Sequence, residues 1–501
     1  MNARGSVLLV NPAITVASRA RFPLSLLALA SAIEPRHDVT IVDANVEDDA
    51  GTRVLRLLGE RRFDAVGITV MGGPQLRTAI DLSLQIRLHG AAPPIVWGGY
   101  FPSLYPDVAM RANYVDYVIR GQGEKGMLAL LDALVDGRRN FQGIAGLCWR
   151  NGREPIVNAG APFESHFAAS PLPYGKLGDP RRYLVKTFMG ARTAAHQASV
   201  GCRFRCTFCG VAGMFNGATA VPPARRLDDE LSYLKNVIGA DSIQYYDHNF
   251  FDREADMVPL FEVMAKHRLP WWCYARADAL VNLSASSWKL VRESGLRMAY
   301  IGAETPNDRL LKSIRKGTRA DQTLEVAELC RRHGVIPELS FMVAPPEDPE
   351  GETERTFEFI RRVKRLNPQA EIIVYVYTPL PPSRVPNAER LNLTPLRTAD
   401  GDEVQFPTTL AEWAEPRWID YACHADAPWV TERLRRRIRD FVTVLNCRFP
   451  TVQDPRSLAV SRTLLRSLAA WRYRFRRYDR PWELNASRSV IKLLDPRVSS
   501  I

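Results

Sequence analysis

The sequence predicts an α/β protein: an N-terminal doubly wound, Rossmann-like sheet, then a partial (β/α)6 TIM-type barrel, then a mostly helical C-terminal segment. Three observations carry that expectation. Short apolar runs alternate with amphipathic stretches between residues 6 and 137, the rhythm of strand-helix-strand units on a parallel sheet. The same alternation resumes near Ala195 and runs to Thr378, with polar residues gathered where the apolar runs end, as on the catalytic face of a barrel. Between them lies a stretch punctuated by Pro155, Pro162, Pro171, Pro173 and Pro180, the composition of a connector. The expected divisions are 1–137, a linker over 138–194, the barrel over 195–382, and 383–501.

In the first unit, Ser6 to Val10, Val39 to Asp43, Ala65 to Val70, Pro94 to Gly99 and Tyr114 to Gly121 read as strands. Leu24 to Glu34, Thr52 to Arg61, Gln75 to His89 and Glu124 to Asp136 supply the crossover helices. Such sheets bind ligands at their strand carboxyl ends. The first of those ends reads Asn11-Pro12-Ala13-Ile14-Thr15, not Gly-x-Gly-x-x-Gly, so a dinucleotide is disfavoured even though Asp43 could mimic a ribose-binding carboxylate. The linker contributes only a hairpin-like piece around Leu147 to Val157.

In the second unit the expected strands are Gln197 to Gly201, Ser242 to Asp247, Trp271 to Asp278, Met298 to Glu304, Glu338 to Ala344 and Glu371 to Thr378. Asp247-His248-Asn249, Arg276-Ala277-Asp278 and Ile301-Gly302-Ala303-Glu304-Thr305 then fall at strand ends. His248 reads either as a proton donor or as a hydrogen-bonded structural residue. Tyr375 and Tyr377 share a strand face and are candidates for a substrate wall, whereas Cys273 and Cys330 sit in apolar stretches and read as core.

The first barrel strand empties into Gly201-Cys202-Arg203-Phe204-Arg205-Cys206-Thr207-Phe208-Cys209-Gly210. Cys202, Cys206 and Cys209 at this spacing can hold a cubane iron-sulfur cluster by three corners, leaving the fourth iron open to a small molecule. A zinc site, the alternative, needs a fourth ligand that this loop does not offer. An odd number of thiols argues against disulfide pairing. Across 501 residues the chain is 46% hydrophobic and 24% charged, an ordinary composition for folded domains. No apolar run reaches the ~18 residues of a membrane span, and Met1 to Asn11 is too short for a secretory signal, so a cytoplasmic location is expected. From Thr431 onward 17 Lys/Arg face 6 Asp/Glu, which accounts for nearly all of the net charge of +12. That basic, Trp-rich tail reads as a solvated helix surface, then as a membrane-surface contact, and last as a nucleic-acid contact.

The thiol spacing, with Phe208 before the third Cys, resembles the radical S-adenosylmethionine (radical SAM) superfamily. The segments Gly67 to Pro74, Val96 to Pro102 and Tyr117 to Glu124 resemble the cobalamin-binding domain that precedes many of those enzymes. The resemblance implies three cofactors: a [4Fe-4S] cluster on Cys202, Cys206 and Cys209, S-adenosylmethionine, and cobalamin. It implies that a 5′-deoxyadenosyl radical takes hydrogen from carbon. Phe208, Asp247, Arg276 and Glu304 are then the expected contacts to S-adenosylmethionine. Asp247 replaces the family's Gly-Gly-Glu carboxylate, and Arg276 pairs with the methionyl carboxylate or with Glu304. Thr69, Met71, Gly72, Gly98, Gly99, Gly121 and Glu124 are the expected cobalamin contacts. No His stands in an Asp-x-His-x-x-Gly context, so cobalt takes no His from that motif. The implied function is methylation of an unactivated carbon in a lipid-like or polyketide-like small molecule, served by a flavodoxin or ferredoxin. The alternatives are a non-methylating oxidation, cyclisation or ring contraction, as in tetrapyrrole cyclases, and a cluster-bearing regulatory or RNA-binding protein.

Overall fold

Five hydrophobic runs pair in parallel as β1 (Ser6–Asn11), β2 (Asp38–Asp43), β3 (Ala65–Thr69), β4 (Ile95–Gly98) and β5 (Tyr117–Ile119), in the spatial order β2-β1-β3-β4-β5. The computed structural model describes residues 4–90, 92–152, 154–168, 170–381, 396–452 and 459–487. Val7 to Val10 of β1 are sealed from solvent, because helices cover both faces of a parallel sheet. The order turns back on itself between β1 and β3, which opens a crevice at their carboxyl ends. The hairpin β6 (Leu147–Asn151) and β7 (Glu154–Val157) extends the sheet antiparallel to β5. Part of the expected linker is therefore sheet, held by buried Cys148 and Trp149.

The second sheet contains β8 (Thr193–His196), β11 (Ser242–Tyr245), β12 (Trp271–Ala275), β13 (Leu296–Glu304), β14 (Ile336–Val343) and β15 (Glu371–Val376), all parallel and in sequence order. Between β8 and β11, a two-stranded ribbon pairs β9 (Val200–Gly201) with β10 (Thr219–Ala220). The first barrel strand thus corrects the expectation: it is Thr193–His196, not Gln197 to Gly201. The chain leaves the sheet at Gln197 because the Asp247 carboxylate takes the Ala198 N–H, 3.3 Å away, in place of a ladder partner. Alternate residues then divide cleanly. Ile243, Tyr245, Cys273, Ala299, Ile301, Leu339 and Phe341 are buried in the main core, while Tyr246, Tyr274, Tyr300 and Tyr375 stay half-exposed on the inner face. Cys330 is likewise buried in the core.

The C-terminal residues do not stand apart as a separate layer. Trp413 packs edge-on against Phe101, Trp429 donates its indole N–H to Ala344 O at 2.8 Å, and Phe441 stacks on Phe357 at 3.7 Å. Much of the basic charge is paired within the chain, Arg437 with Glu354 and Asp479, Arg435 with Asp426, and Arg476 with Glu358. The expected division at 382/383 falls outside the described residues. Among the described residues no helix is long and apolar enough to cross a membrane.

Candidate active site

The cysteine loop is pinned at its base by the β9–β10 ribbon. Gly201 there has φ +84°, and a Cβ would run into Ala218 O, so only glycine serves. Within the loop, Cys209 N–H donates to Cys206 O at 3.2 Å and Thr207 N–H donates to Ile314 O at 3.0 Å. Cys206 is buried, Cys202 and Cys209 are half-buried, and all three are free thiols. Burial pushes the Cys209 thiol up to about 11, with the neighbouring Cys206 and Cys202 adding to the rise, and burial also raises Cys202. Thiols close enough to oppose one another's ionisation suit a shared cationic group that keeps all three deprotonated. Among the described residues no three His, Cys, Asp or Glu side chains close on a single ion; in a cubane each thiol instead holds a separate iron.

Charged groups stand over this loop. Arg276, at the end of β12, lies 3.5 Å above the Phe204 ring and directs one N–H toward Cys206 Sγ at 3.9 Å. Its carboxylate partner is Asp278, at 3.0 Å, and it also donates to Lys316 O; the expected pairing with Glu304 is not made. Glu304 instead holds Lys316 at 2.5 Å, both side chains about 8% exposed, and the Lys316 ammonium lies 5.9 Å from the Phe208 ring. Glu304 itself sits at φ 61°, a left-handed conformation that costs a non-glycine residue ~1 kcal/mol or more. Strain of this kind at a strand end marks a side chain aimed by its surroundings. Phe208 packs beside Leu311, Ile314, Met342 and Tyr377, so Tyr377 supports the loop and only Tyr375 remains for the inner wall.

Asp247 does not occupy the position expected of it. It is fully buried beneath the segment entering the loop, and burial raises its carboxyl to about 7, so it shapes backbone and offers no surface to a ligand. His248 resolves to its structural role: its Nδ1 accepts the Gly201 N–H at 3.2 Å, its ring lies against Phe215, and burial lowers it to about 4.

At the crevice of the first sheet, Gln75 ties the two switch-point loops together. It donates to Asn11 Oδ1 at 2.9 Å and Pro12 O at 2.8 Å, and accepts the Met71 N–H at 2.8 Å. The rim is apolar and open: Ile14, Val16 and Met71 are 46%, 61% and 47% exposed, an unusual cluster at strand ends. Thr69 is half-buried beside them. The glycines divide in their duties. Gly98 has free space on its Cβ side, with only Ile119 O at 3.8 Å, whereas a Cβ on Gly99 would press Thr69 and Val70, and one on Gly72 would meet Ala422. Gly72 thus lies beside the chain's own C-terminal segment, at ordinary contact distance. Gly121 N–H donates to Ser103 Oγ at 2.9 Å, and Glu124 opens the helix Glu124–Val135, its carboxyl raised by burial. Exposed apolar rim and uncrowded Gly98 together suit a broad, flat ring such as a corrin. Residues 11–21 include no His, Cys, Asp or Glu that could reach for its metal.

The two mouths meet. Gly210 N–H, next to Cys209, donates to the hydroxyl of Tyr100, next to Gly99, at 3.0 Å. Arg21, from the N-terminal domain, donates to Gln244 and Tyr246 of the barrel, each at 3.2 Å. From the C-terminal segment, His424 in a left-handed conformation bonds Thr378 and lies 6.3 Å from Tyr375, while its neighbour Cys423 abuts Gly73. Sequence reasoning missed Tyr100, Lys316 and His424. A clue existed for Tyr100, which follows Gly98-Gly99; none existed for the other two, whose partners lie 12 and 46 residues away in sequence.

Residues 13–131 match the family model for the B12 binding domain, and residues 197–360 match that for the radical SAM superfamily. The chain thus carries a B12-binding domain followed by a radical SAM domain. It is 26% identical over 344 residues to an uncharacterised methyltransferase of Pyrococcus horikoshii, covering 68% of this chain and 73% of that one. An anaerobic magnesium-protoporphyrin IX monomethyl ester cyclase of Synechocystis is 24% identical, covering 69% and 68%. The hopanoid C-3 methylase of Methylococcus capsulatus is also 24% identical, covering 77% and 73%. In fold it resembles the radical SAM methyltransferase TsrM of Kitasatospora setae, with a TM-score of 0.60 at 21% identity over 74% of this chain and 72% of that one. The two domains imply a [4Fe-4S] cluster, S-adenosylmethionine and cobalamin.

Proposed function

We propose that this enzyme transfers a methyl group to a carbon of a small-molecule substrate at the junction of its two mouths, with Cys202, Cys206 and Cys209 holding the cluster. The observation that carries this reading is the Tyr100–Gly210 hydrogen bond, which sets the crevice of the first sheet against the thiol loop. When bound, the cluster and S-adenosylmethionine supply a radical that takes hydrogen from carbon, and cobalamin supplies the methyl group. Arg276 directs its guanidinium at the Cys206 sulfur, 3.9 Å away, and would orient that side of the cluster loop. Lys316 and Glu304 present paired opposite charges to the zwitterionic end of S-adenosylmethionine, Lys316 toward its carboxylate and Glu304 toward its ammonium. Ile14, Val16 and Met71 would hold cobalamin by apolar contact. Tyr100, through its bond to Gly210, would hold the two cofactor sites together.

Methyltransferase-named relatives support this reading; the cyclase relative supports a second one, a radical oxidation without methyl transfer. Anaerobic turnover with S-adenosylmethionine bearing a trideuterated methyl group separates the two: methylation puts the label in the product, whereas label-free product alongside 5′-deoxyadenosine establishes the second reading. An external flavodoxin- or ferredoxin-type donor completes the proposal. Exposed Trp471, Phe475 and Trp482 among the tail arginines support a peripheral membrane contact, tested by sedimentation with anionic vesicles.

A further inference from the structure

The inner face of the barrel has an uneven chemistry. Its mouth carries the charged groups Arg276, Glu304 and Lys316, yet four residues deeper along β13 the wall turns aromatic. Tyr274 and Tyr300 meet edge to face at 5.1 Å between centroids, Trp272 meets Tyr274 at 4.7 Å, and Tyr246 lies 5.7 Å from Trp272 and 6.1 Å from Tyr274. Burial raises the Tyr300 hydroxyl well above its ordinary value, with neighbouring Tyr375 adding to the rise. These rings come from β12, β13, β15 and the end of β11 on the inner face of one sheet, and the four tyrosines are half-exposed, not sealed. Core aromatics of the same strands, Tyr245 and Trp271, are by contrast fully buried on the outer face.

Polar groups in this cup are matched to one another, and the Arg21 guanidinium stands at its edge. Trp272 donates its indole N–H to Glu338 Oε2 at 3.0 Å, and burial pushes the Glu338 carboxyl up to about 7, aided by nearby Glu371. Arg21 is held at the edge by Gln244 and Tyr246, whose hydroxyl also donates to Gln244 at 3.2 Å. A saturated hydrocarbon would fit the space but forgo the ring-to-ring geometry that such walls reward.

We infer that the cup formed by Tyr246, Trp272, Tyr274, Tyr300 and Tyr375 is a substrate subsite selective for a flat, unsaturated ring system bearing hydrogen-bonding heteroatoms. The inference rests on the proposed reading of the barrel mouth as the radical site. It narrows that reading: a saturated polycyclic or acyl lipid is the wrong occupant for this wall.

The test uses full-length protein, anaerobically reconstituted with cluster and cobalamin, and two neutral alcohols of one skeleton, 2-naphthol and decahydro-2-naphthol, titrated calorimetrically. The expected result is binding of 2-naphthol about tenfold tighter than its saturated counterpart, the size of two lost aromatic contacts. Tyr274→Leu with Tyr300→Leu removes that preference, while Tyr300→Phe, which keeps the ring, retains it; iron content, corrinoid content and melting temperature report that each variant is folded. Equal binding of the two alcohols, no binding of either, or an undiminished preference in the double leucine variant overturns the inference. Failure of the methylation reading shows elsewhere, as absence of deuterated methyl from product, and leaves the naphthol preference where it is.

Discussion

The crevice of the first sheet and the mouth of the second are built at equivalent places, the carboxyl ends of parallel strands, but from opposite materials. The crevice offers backbone, glycine and exposed apolar side chains, Gly98 with Ile14, Val16 and Met71. The barrel mouth offers thiols and buried charge, Cys206 under Arg276 and Lys316 against Glu304. The difference follows from the ligands each suits. A large, flat ring is held mainly by shape and burial of apolar area, so side chains must withdraw. A compact cluster and a zwitterion are held by coordination and charge, so side chains must converge. One site therefore tolerates conservative change in its apolar rim, and the other does not tolerate loss of a single group.

The largest expected effect breaks the two sites apart. In Cys206→Ala, iron-sulfur absorbance collapses and 5′-deoxyadenosine formation falls to background, while corrinoid absorbance persists; joint loss of both spectra would show that the sites are not separable. Next, Lys316→Met leaves Glu304 buried without a partner, which costs about 3 kcal/mol of stability and raises the KM for S-adenosylmethionine by about tenfold or more. Adding Glu304→Gln recovers part of the stability but not the KM, a double-mutant cycle readable by denaturant titration and initial rates. At the junction, Gly210→Ala drives a methyl group into the Tyr100 ring and slows methyl transfer more than it slows 5′-deoxyadenosine formation. Tyr100→Phe loses one hydrogen bond, worth about 1 kcal/mol, and uncouples the same pair of rates more mildly.

A separate effect, on stability and not on the two sites, concerns acid. Asp247 binds its proton more tightly folded than unfolded, its carboxyl being raised by burial from 3.8 to about 7. Between those values the unfolded chain has released the proton and the folded one has kept it. Stability therefore falls as pH rises through that window, by about 1.4 kcal/mol per unit at most, and levels off above it. Asp247→Asn removes this slope, which chemical denaturation at pH 5, 6, 7 and 8 would reveal. A slope unchanged in the variant assigns it to other groups.

Much of this architecture was legible from the chain alone because its signals are local. Alternating apolar runs located the strands of both sheets to within a few residues, since a buried parallel strand must be apolar throughout. The first barrel strand was misplaced by four residues because Thr193–His196 has small, unremarkable side chains, whereas Gln197 to Gly201 looked like the natural lead into the loop. Asp247 misled for a related reason: a carboxylate at a strand end can face outward or turn under its own loop, and sequence carries no sign of which.

What the sequence by itself determined is the chemistry of each ligand: three thiols spaced for one tight loop, and glycine-marked strand ends. Those depend on neighbours in the chain, whose separation is set by covalent geometry. Only the tertiary structure decided that Tyr100 meets Gly210, that Lys316 and not Arg276 neutralises Glu304, that Ala422 lies beside Gly72, and that five aromatic side chains share one cup. Each of these joins residues brought together by the docking of whole sheets, where burial and shape across long separations, not local spacing, choose the partner.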